Sequence, residues 1–196
     1  MTETVDKSRD QERARTLLRR VAAGDERAFS ELYDRFSGML LALLIRMLRD
    51  RAEAEEVLQE GFLQAWRQAG RYDSSRSSVS TWLVMLMRSR AIDRIRSRQS
   101  RDRAGRELAQ EPRVDHTSPE GVGSVLHRER RSRLQIELDR LPPEQKEVLE
   151  LAFYQGLSQT EIAERTEIPL GTVKTRTLLA MRKLRQALKD EMRELL

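Results

Sequence analysis

The sequence predicts an all-α protein made of two small helical domains joined by a flexible linker. Helix-forming residues are abundant, and aromatic residues make up only 5% of the chain. Apolar residues recur at helical spacing in two separate stretches, residues 12–98 and 127–196. Between them, residues 99–126 combine Pro and Gly with many charged side chains, which is typical of a linker. A chain of 196 residues has room for two such domains.

The first domain begins after a polar segment, residues 1–11, which we expect to be a disordered tail. A first helix follows and ends at Gly24, because glycine is favoured just past a helix C-terminus. Asp25 can cap the second helix, whose apolar residues keep three-to-four spacing along its length. Those residues are Phe29, Leu32, Tyr33, Phe36, Leu40, Leu43, Leu44 and Met47.

Two more helices complete the bundle predicted over residues 12–98. The third runs from about residue 52 to residue 69, and Gly70 closes it. The sequence RYDSSRSSVS that follows lacks a helical apolar stripe and is predicted to form a loop. The fourth helix begins near Ser78 and buries apolar residues at helical spacing. These are Val79, Trp82, Leu83, Leu86, Ile92 and Ile95.

The second domain contains the pattern of a helix-turn-helix. LPPE at 141–144 is a helix start, since proline is tolerated in the first turn and an acid suits the helix dipole. Gly156 ends that helix, and Ser158 with Glu161 predicts a capping box for a short helix. The sequence EIP at 167–169 breaks the short helix, and a last helix follows it. A short capped helix, a tight turn and a second helix form a common DNA-binding motif.

Charge separates the last helix from the helices before it. Residues 168–189 contain six bases and no acid, whereas the two preceding helices are rich in glutamate. Gly171 would let the backbone approach a phosphate closely, and Lys174, Thr175 and Arg176 can reach base edges or phosphates. A basic helix alone is more often simply solvated. Combined with the capping box and the turn, it indicates DNA binding, and the net charge of +5 is compatible with that.

Two oppositely charged segments lie in the first domain. Residues 88–106 hold eight arginines, of which Arg90, Arg94 and Arg98 share a helix face. This segment is either a ridge that tracks phosphates or a solvated helix end. Residues 50–60 hold five acids against a single base. An acidic helix is a poor DNA surface, so it is either solvated or a docking face for a basic protein partner.

The Ser-rich loop lies between two aromatic residues, Tyr72 and Trp82, and also carries Asp73 and Arg76. Small polar groups beside aromatic rings and an arginine are the chemistry that a pocket for an unstacked base needs. Trp82 by itself fits a core position better, because it is in phase with Val79.

Several classes of protein are disfavoured. The chain has no cysteine, which excludes disulfides and thiolate zinc sites within it. No stretch approaches the roughly 18 apolar residues of a membrane span, and the N-terminus lacks the apolar core of a signal peptide. We expect a cytoplasmic protein without membrane insertion. His116 and His127 lie in or beside the linker, and no phosphate-binding loop or metal-ligand spacing occurs. We expect no catalytic residue, metal or cofactor; a nuclease using the exposed carboxylates at 53–60 is the disfavoured enzyme alternative.

Taken together, these motifs resemble the extracytoplasmic-function (group 4) sigma factors of bacterial RNA polymerase, over residues 15–190. AEEVLQEGFLQAW at 54–66 is similar to the family's core-polymerase-binding helix. TWL at 81–83, followed by RSRAIDRIR at 88–96, is similar to its minus-10-reading helix, although many members carry Asn where this chain has Ser89. Four motifs match its minus-35-reading helix-turn-helix: LPPE at 141–144, GLS at 156–158, EIA at 161–163 and PLGTVKTR at 169–176.

The resemblance implies a role for each matched position. Residues of the acidic helix would dock on the coiled coil of the polymerase's largest subunit: Glu53, Glu56, Gln59 and Glu60. The Ser-rich loop would hold a base flipped from the non-template strand, and the next helix would lie along the minus-10 DNA. The loop residues are Tyr72, Asp73, Ser74, Ser75, Arg76, Ser77 and Ser78, and the helix residues are Arg88, Arg90 and Arg94. The minus-35 element would face Ser158, Gly171, Thr172, Lys174, Thr175, Arg176 and Arg182.

The function implied by this resemblance is to bind core RNA polymerase, direct it to promoters and promote strand opening. Its implied partners are core RNA polymerase, promoter DNA and a cognate anti-sigma factor, and the linker would thread through the polymerase near its RNA path. The alternative is a stand-alone helix-turn-helix transcriptional regulator, with residues 12–98 as a sensing or dimerising bundle. Such a regulator should bind duplex DNA unaided.

Overall fold

The computed structural model describes residues 2–105 and 136–194, and the side chains of 9–101 and 136–187. Those residues form helices and short connections without any strand, so the predicted all-α class is confirmed. The chain divides into two units, Met1–Val122 and Gly123–Leu196. Residues 106–126 of the predicted linker, and the predicted start of the second domain at 127, lie outside the described residues.

The described residues of the first unit form four α-helices and one 3-10 turn. They are α1 (Thr2–Ala22), α2 (Glu26–Leu48), α3 (Arg51–Gln68), the 3-10 turn (Ala69–Arg71) and α4 (Val79–Gly105). The helix boundaries follow local chemistry. Gly24 adopts a left-handed φ of 87° after α1. The carboxylate of Asp25 caps α2 by accepting from the Ala28 N–H at 3.0 Å, and Asp50 caps α3 in the same way.

Two helices extend past the boundaries predicted from the sequence. Helix α1 begins at Thr2, inside the segment predicted as a disordered tail. No Gly or Pro interrupts that segment, and Asp10 forms an ion pair with Arg35 of α2 at 2.9 Å. Helix α4 continues to Gly105, past the predicted start of the linker at residue 99, because residues 99–104 also lack a helix breaker. Polarity was therefore a poorer guide to helix ends than the position of Gly and Pro.

Helix α2 packs against α1, α3 and α4, and each helix turns one apolar face into a common core. Of the apolar residues predicted for α2, five are buried and three, Phe29, Tyr33 and Leu43, are half-buried. Phe29 makes edge-to-face contacts with two rings of α3, at 6.1 Å from Phe62 and 5.1 Å from Trp66. These contacts fix the position of α3 against α2.

Helix α4 approaches α3 closely at Gly61, which is buried. A Cβ atom placed on Gly61 would lie 2.2 Å from the Sδ atom of Met87, far inside van der Waals contact. Met87 is fully buried, so its side chain has little room to move away. The absent side chain at Gly61 therefore sets the distance between these two helices.

The second unit contains three described helices, α5 (Pro143–Tyr154), α6 (Gln159–Thr166) and α7 (Leu170–Glu194), preceded by a helical stretch at residues 136–139. Its described core includes a cluster of four buried residues with partly buried apolar neighbours around them. The four are Val148, Leu151, Ile162 and Val173. All three helices contribute to this cluster, so the orientation of α7 depends on α5 and α6.

We predict that Gly61→Leu lowers the free energy of unfolding of the first unit by about 1–3 kcal/mol, because the new side chain collides with buried Met87. Gly70→Leu is the matched control, since a Cβ at Gly70 meets nothing within 4 Å, and it should change stability by no more than about 0.5 kcal/mol. Urea unfolding can be followed by the fluorescence of Trp66 and Trp82, both in this unit. Equal stability of the two variants would contradict the close approach.

Candidate nucleic-acid and protein interfaces

The four predicted docking residues of α3 differ in their exposure to solvent, and Glu53 is half-buried. Glu56 and Gln59 are exposed, and Glu60 is partly exposed. Leu63 lies on the same face, seven residues after Glu56, with 53% of its surface exposed. Leu63 was not among the docking residues predicted from the sequence. The acidic residues of α3 are thus followed, one turn further on, by an exposed apolar residue.

The acids of this face are paired with arginines of α4. Arg90 donates hydrogen bonds to Glu60 Oε2 and to Gln64 Oε1, both at 2.6 Å. Arg94 donates to Glu56 Oε2 at 2.8 Å, and its second nitrogen lies 3.5 Å from Glu60 Oε1. Each guanidinium therefore spans two side chains that are one turn apart on α3.

A third, looser pair extends the pattern, with Arg98 at 3.8 Å from Glu53. We call these contacts the α3–α4 ion-pair network. Its members are Glu53, Glu56, Glu60, Gln64, Arg90, Arg94 and Arg98. The arginine face interpreted as a possible phosphate-tracking ridge thus faces acidic side chains of the same unit.

The pKa values of the network agree with this geometry. The hydrogen bond from Arg94, and then its charge, lower the pKa of the Glu56 carboxyl. The same hydrogen bond raises the pKa of the Arg94 guanidinium. Both shifts favour the charged forms, so the pair stays ionised at neutral pH.

The outward face of α4 carries different residues. Met85 and Ser89 are exposed and lie one turn apart, and Asp93 continues the row. Arg88 is half-buried, and burial lowers its pKa. Because residues two apart on a helix point roughly 200° away from one another, Arg88 does not share the face of Arg90. The structure therefore separates basic residues that the sequence analysis grouped together.

The Ser-rich loop is organised by its own hydrogen bonds. The Tyr72 hydroxyl donates to the Ser77 carbonyl at 2.7 Å, and the Tyr72 ring packs edge to face on Trp82 with centroids 5.6 Å apart. The carboxylate of Asp73 accepts from both the backbone N–H and the hydroxyl of Ser75, at 2.9 and 2.7 Å. These hydrogen bonds are the largest cause of the lowered pKa of Asp73.

The remaining loop residues divide between solvent and the helix end. Ser74, Ser75 and Arg76 are exposed. Ser78 has a structural task as well, since its hydroxyl accepts from the Thr81 N–H at 3.2 Å at the start of α4. The tip of the loop is therefore short and polar, and Tyr72 holds the two ends of the loop in place.

The capping box predicted for the short helix α6 is confirmed. The Ser158 N–H donates to the Glu161 carboxylate at 2.7 Å, and the Ser158 hydroxyl accepts from the Glu161 N–H at 3.2 Å. Helix α6 ends at Glu167, whose left-handed φ of 56° makes the tight turn into α7. The helix-turn-helix predicted from the sequence is thus present in the second unit.

The outward face of α7 is defined by residues opposite buried Val173. Gly171, Thr175 and Arg182 are exposed on it, and Leu178 lies among them with 58% of its surface exposed. The sequence analysis did not assign Leu178 to this surface. The Thr175 hydroxyl donates to the Gly171 carbonyl at 2.9 Å.

The other predicted residues of α7 lie around this face. Lys174 is exposed, whereas Thr172 and Arg176 are half-buried at the flank. The side chains best placed to meet a ligand are therefore the exposed ones of the first three turns and Arg182. Within residues 9–101 and 136–187, no group of three or more His, Asp or Glu side chains could hold a metal ion. None of the described helices has the length and apolar character needed to cross a membrane.

Comparisons with known proteins agree with the order of these features. The family profile of Sigma-70 region 2 matches residues 32–101, and that of Sigma-70 region 4 matches residues 138–186. The chain is 37% identical over 175 residues to the ECF RNA polymerase sigma factor SigK of Mycolicibacterium vanbaalenii, covering 88% of this chain and 87% of the relative. The SigK protein of Mycobacterium tuberculosis is 36% identical over 173 residues, covering 88% and 91%.

A solved structure is also similar. Rhodobacter sphaeroides SigE in complex with the anti-sigma ChrR is 29% identical, with a TM-score of 0.46, covering 90% of this chain and 98% of that one.

We predict that Ser158→Ala destabilises α6 by about 1 kcal/mol, because the Glu161 N–H loses its cap. Ser158→Asp should leave α6 intact, since aspartate caps helices as well as serine does. Amide hydrogen exchange of α6 measures the difference, as roughly fivefold faster exchange in the alanine variant alone. Equal exchange rates in the two variants would mean that the capping box does not stabilise this helix.

Proposed function

Since the chain belongs to the extracytoplasmic-function sigma factors of RNA polymerase, we propose that it binds core polymerase, directs it to promoters through their minus-35 and minus-10 elements, and promotes strand opening. The observation that carries the proposal is the order of the two matched regions, residues 32–101 and 138–186, one in each helical unit. In this role the chain directs the polymerase and catalyses no reaction itself. We place it in the cytoplasm with its polymerase.

Each unit has its own task in this proposal. Residues 12–98 dock on polymerase and meet the minus-10 element, and residues 127–196 meet the minus-35 element. Residues 99–126 connect them. The family resemblance also implies a cognate anti-sigma factor, which we propose as a further partner.

The outward face of α3 is the proposed polymerase-docking face. Glu53, Glu56, Gln59 and Glu60 give it an acidic character, which suits a basic protein surface and repels DNA. Exposed Leu63, one turn beyond Gln59, adds the apolar contact that interface centres usually contain.

The loop after α3 is the proposed minus-10 site. Its tip offers hydroxyls, a carboxylate and the Arg76 guanidinium at exposed positions, which suits the edge and backbone of an unstacked nucleotide. Tyr72 and Ser78 support this tip, and Arg88 lies on the helix after it. Arg90 and Arg94 are not part of the strand-binding set that we propose, because their guanidinium groups pair with α3.

Helix α7 is the proposed minus-35-reading helix. Gly171, Lys174, Thr175 and Arg182 are exposed and can reach phosphates or base edges in a major groove. Thr172 and Arg176 lie at its flank, and Ser158 lies at the start of α6, where a hydroxyl that accepts the cap can still donate to a phosphate.

A stand-alone transcriptional regulator is the second candidate, supported by the helix-turn-helix alone. It would bind duplex promoter DNA without polymerase and would not bind core polymerase. Co-elution of the purified chain with core RNA polymerase on a sizing column separates the two functions.

We predict that Gln59→Arg weakens association with core polymerase by at least about tenfold, because it places a cation in an acidic docking face. Gln59 is exposed and lies outside the α3–α4 ion-pair network, so the fold should survive. Gln99→Arg makes the same change at an exposed position of α4 and should have no effect. Pull-down at moderate salt measures both variants, and equal binding would remove α3 from the docking role.

We predict that replacing residues 73–76 with alanine blocks promoter opening but spares polymerase association and minus-35 binding. The replaced tip supplies the groups proposed to hold the flipped base, whereas Tyr72, Ser77 and Ser78 keep the loop base in place. Permanganate reactivity of unpaired thymines is the measurement. A promoter already unpaired around the minus-10 element should restore reactivity. Normal opening of a fully duplex promoter would make the loop a mere connector.

A further inference from the structure

We propose that Arg90 and Arg94 are positioning residues for the docking face of α3, which they hold in a fixed arrangement, and are not contacts to promoter DNA. The inference rests on the proposed function in one respect, namely that α3 docks on core polymerase. It assigns a task to a pair of arginines that lie in the basic segment of α4.

The geometry of the contacts is the first reason. Arg94 contacts Glu56 and Glu60, and Arg90 contacts Glu60 and Gln64, so two guanidinium groups tie three successive turns of α3 together. A planar guanidinium donates in fixed directions and therefore restricts the rotamers of the side chains that it binds. Three long side chains of the docking face are ordered before any partner arrives.

Electrostatics gives the second reason. Glu56 and Glu60 lie four residues apart on one helix face, where two like charges repel one another. Arg94 lies between them and cancels this repulsion. Without Arg94 the two carboxylates would move apart, and ordering them again would oppose docking, since fixing flexible side chains at an interface costs entropy.

The surroundings of the arginines argue against a contact with DNA. The side chains of Arg90 and Arg94 are 32% and 23% exposed, and their nearest neighbours are carboxylates. A phosphate that approached this side of α4 would meet the negative charge of the acidic α3 face and would have to displace existing ion pairs. The outward face of α4, with Met85 and Ser89, lies on another side of the helix.

Whether Arg94→Gln raises or lowers the affinity for polymerase distinguishes a positioning role of Arg94 from an effect of its charge alone. Arg94→Gln makes the acidic face more negative, and a docking partner that is basic should then bind more tightly if only net charge mattered. The same change should weaken binding if Arg94 holds the carboxylates in place. The two explanations thus predict opposite signs.

The experiment measures the affinity of the full chain for core polymerase without DNA, by fluorescence anisotropy of a labelled sigma factor. The double variant Arg90→Gln/Arg94→Gln should bind about three- to tenfold more weakly, as expected for the loss of a few partly exposed ion pairs. Arg94→Lys should recover part of the loss, since an ammonium keeps one of the contacts. Arg101→Gln removes an exposed arginine of the same helix outside the network, and it should not weaken binding.

A double-mutant cycle tests whether Arg94 acts through its partner. In a Glu56→Gln background, Arg94→Gln should have a clearly smaller effect on polymerase affinity than in the unmodified chain. Thermal unfolding of each variant reports any general loss of the bundle. An effect that is equally large in both backgrounds would overturn the proposal, because Arg94 would then act independently of Glu56.

Promoter binding by the assembled holoenzyme completes the test. With sigma factor in saturating excess, the salt dependence of promoter affinity should be unchanged in the double variant. If the slope of log promoter affinity against log salt concentration fell by about one for each arginine, the arginines would contact phosphates, and the proposal would be overturned. Polymerase affinity that is unchanged or increased would overturn it as well. Failure of the unmodified chain to bind polymerase at all would instead contradict the proposed function.

Discussion

The close contact between Gly61 and Met87 is the constraint on which much of the first unit depends. Because position 61 has no side chain, α4 can lie directly against α3, with Met87 filling the space beside the glycine. This separation brings the guanidinium groups of Arg90 and Arg94 within 2.6–2.8 Å of the carboxylates of α3. A wider helix pair would leave both sets of charges to solvent. A glycine in the core therefore allows the close approach of two helices at which the charges above it can pair.

As a consequence, the number of charged residues in each helix does not give the charge of the surface that the helix exposes. The acids of α3 and the arginines of α4 neutralise each other along their shared edge. Beyond this edge, one helix exposes Gln59 and Leu63, and the other exposes a row with Met85 and Ser89. In the proposed function these two neighbouring helices meet a protein and DNA strands, and this pairing keeps the two surfaces distinct.

The second unit solves a different problem, because α6 has only eight residues and is too short to be stable by itself. Its capping box provides acceptors for two backbone N–H groups at the start of the helix, and buried Ile162 packs the helix against α5 and α7. The sharp turn at Glu167 then sets where α7 begins. The exposed start of α7, proposed to read the minus-35 element, thus depends on local hydrogen bonds and on a small core.

The sequence by itself determined the helices, their caps, the helix-turn-helix and the family, because these depend on local signals such as Asp25, Ser158 and the spacing of apolar residues. It misplaced the start of α1 and the end of α4, since polar composition does not stop a helix that lacks Gly and Pro. It could not tell which charges face one another. That Arg90 and Arg94 pair with carboxylates of α3 depends on the distance and rotation between two helices. Only tertiary packing fixes those quantities, and helical periodicity is the same for every neighbour that a helix might have.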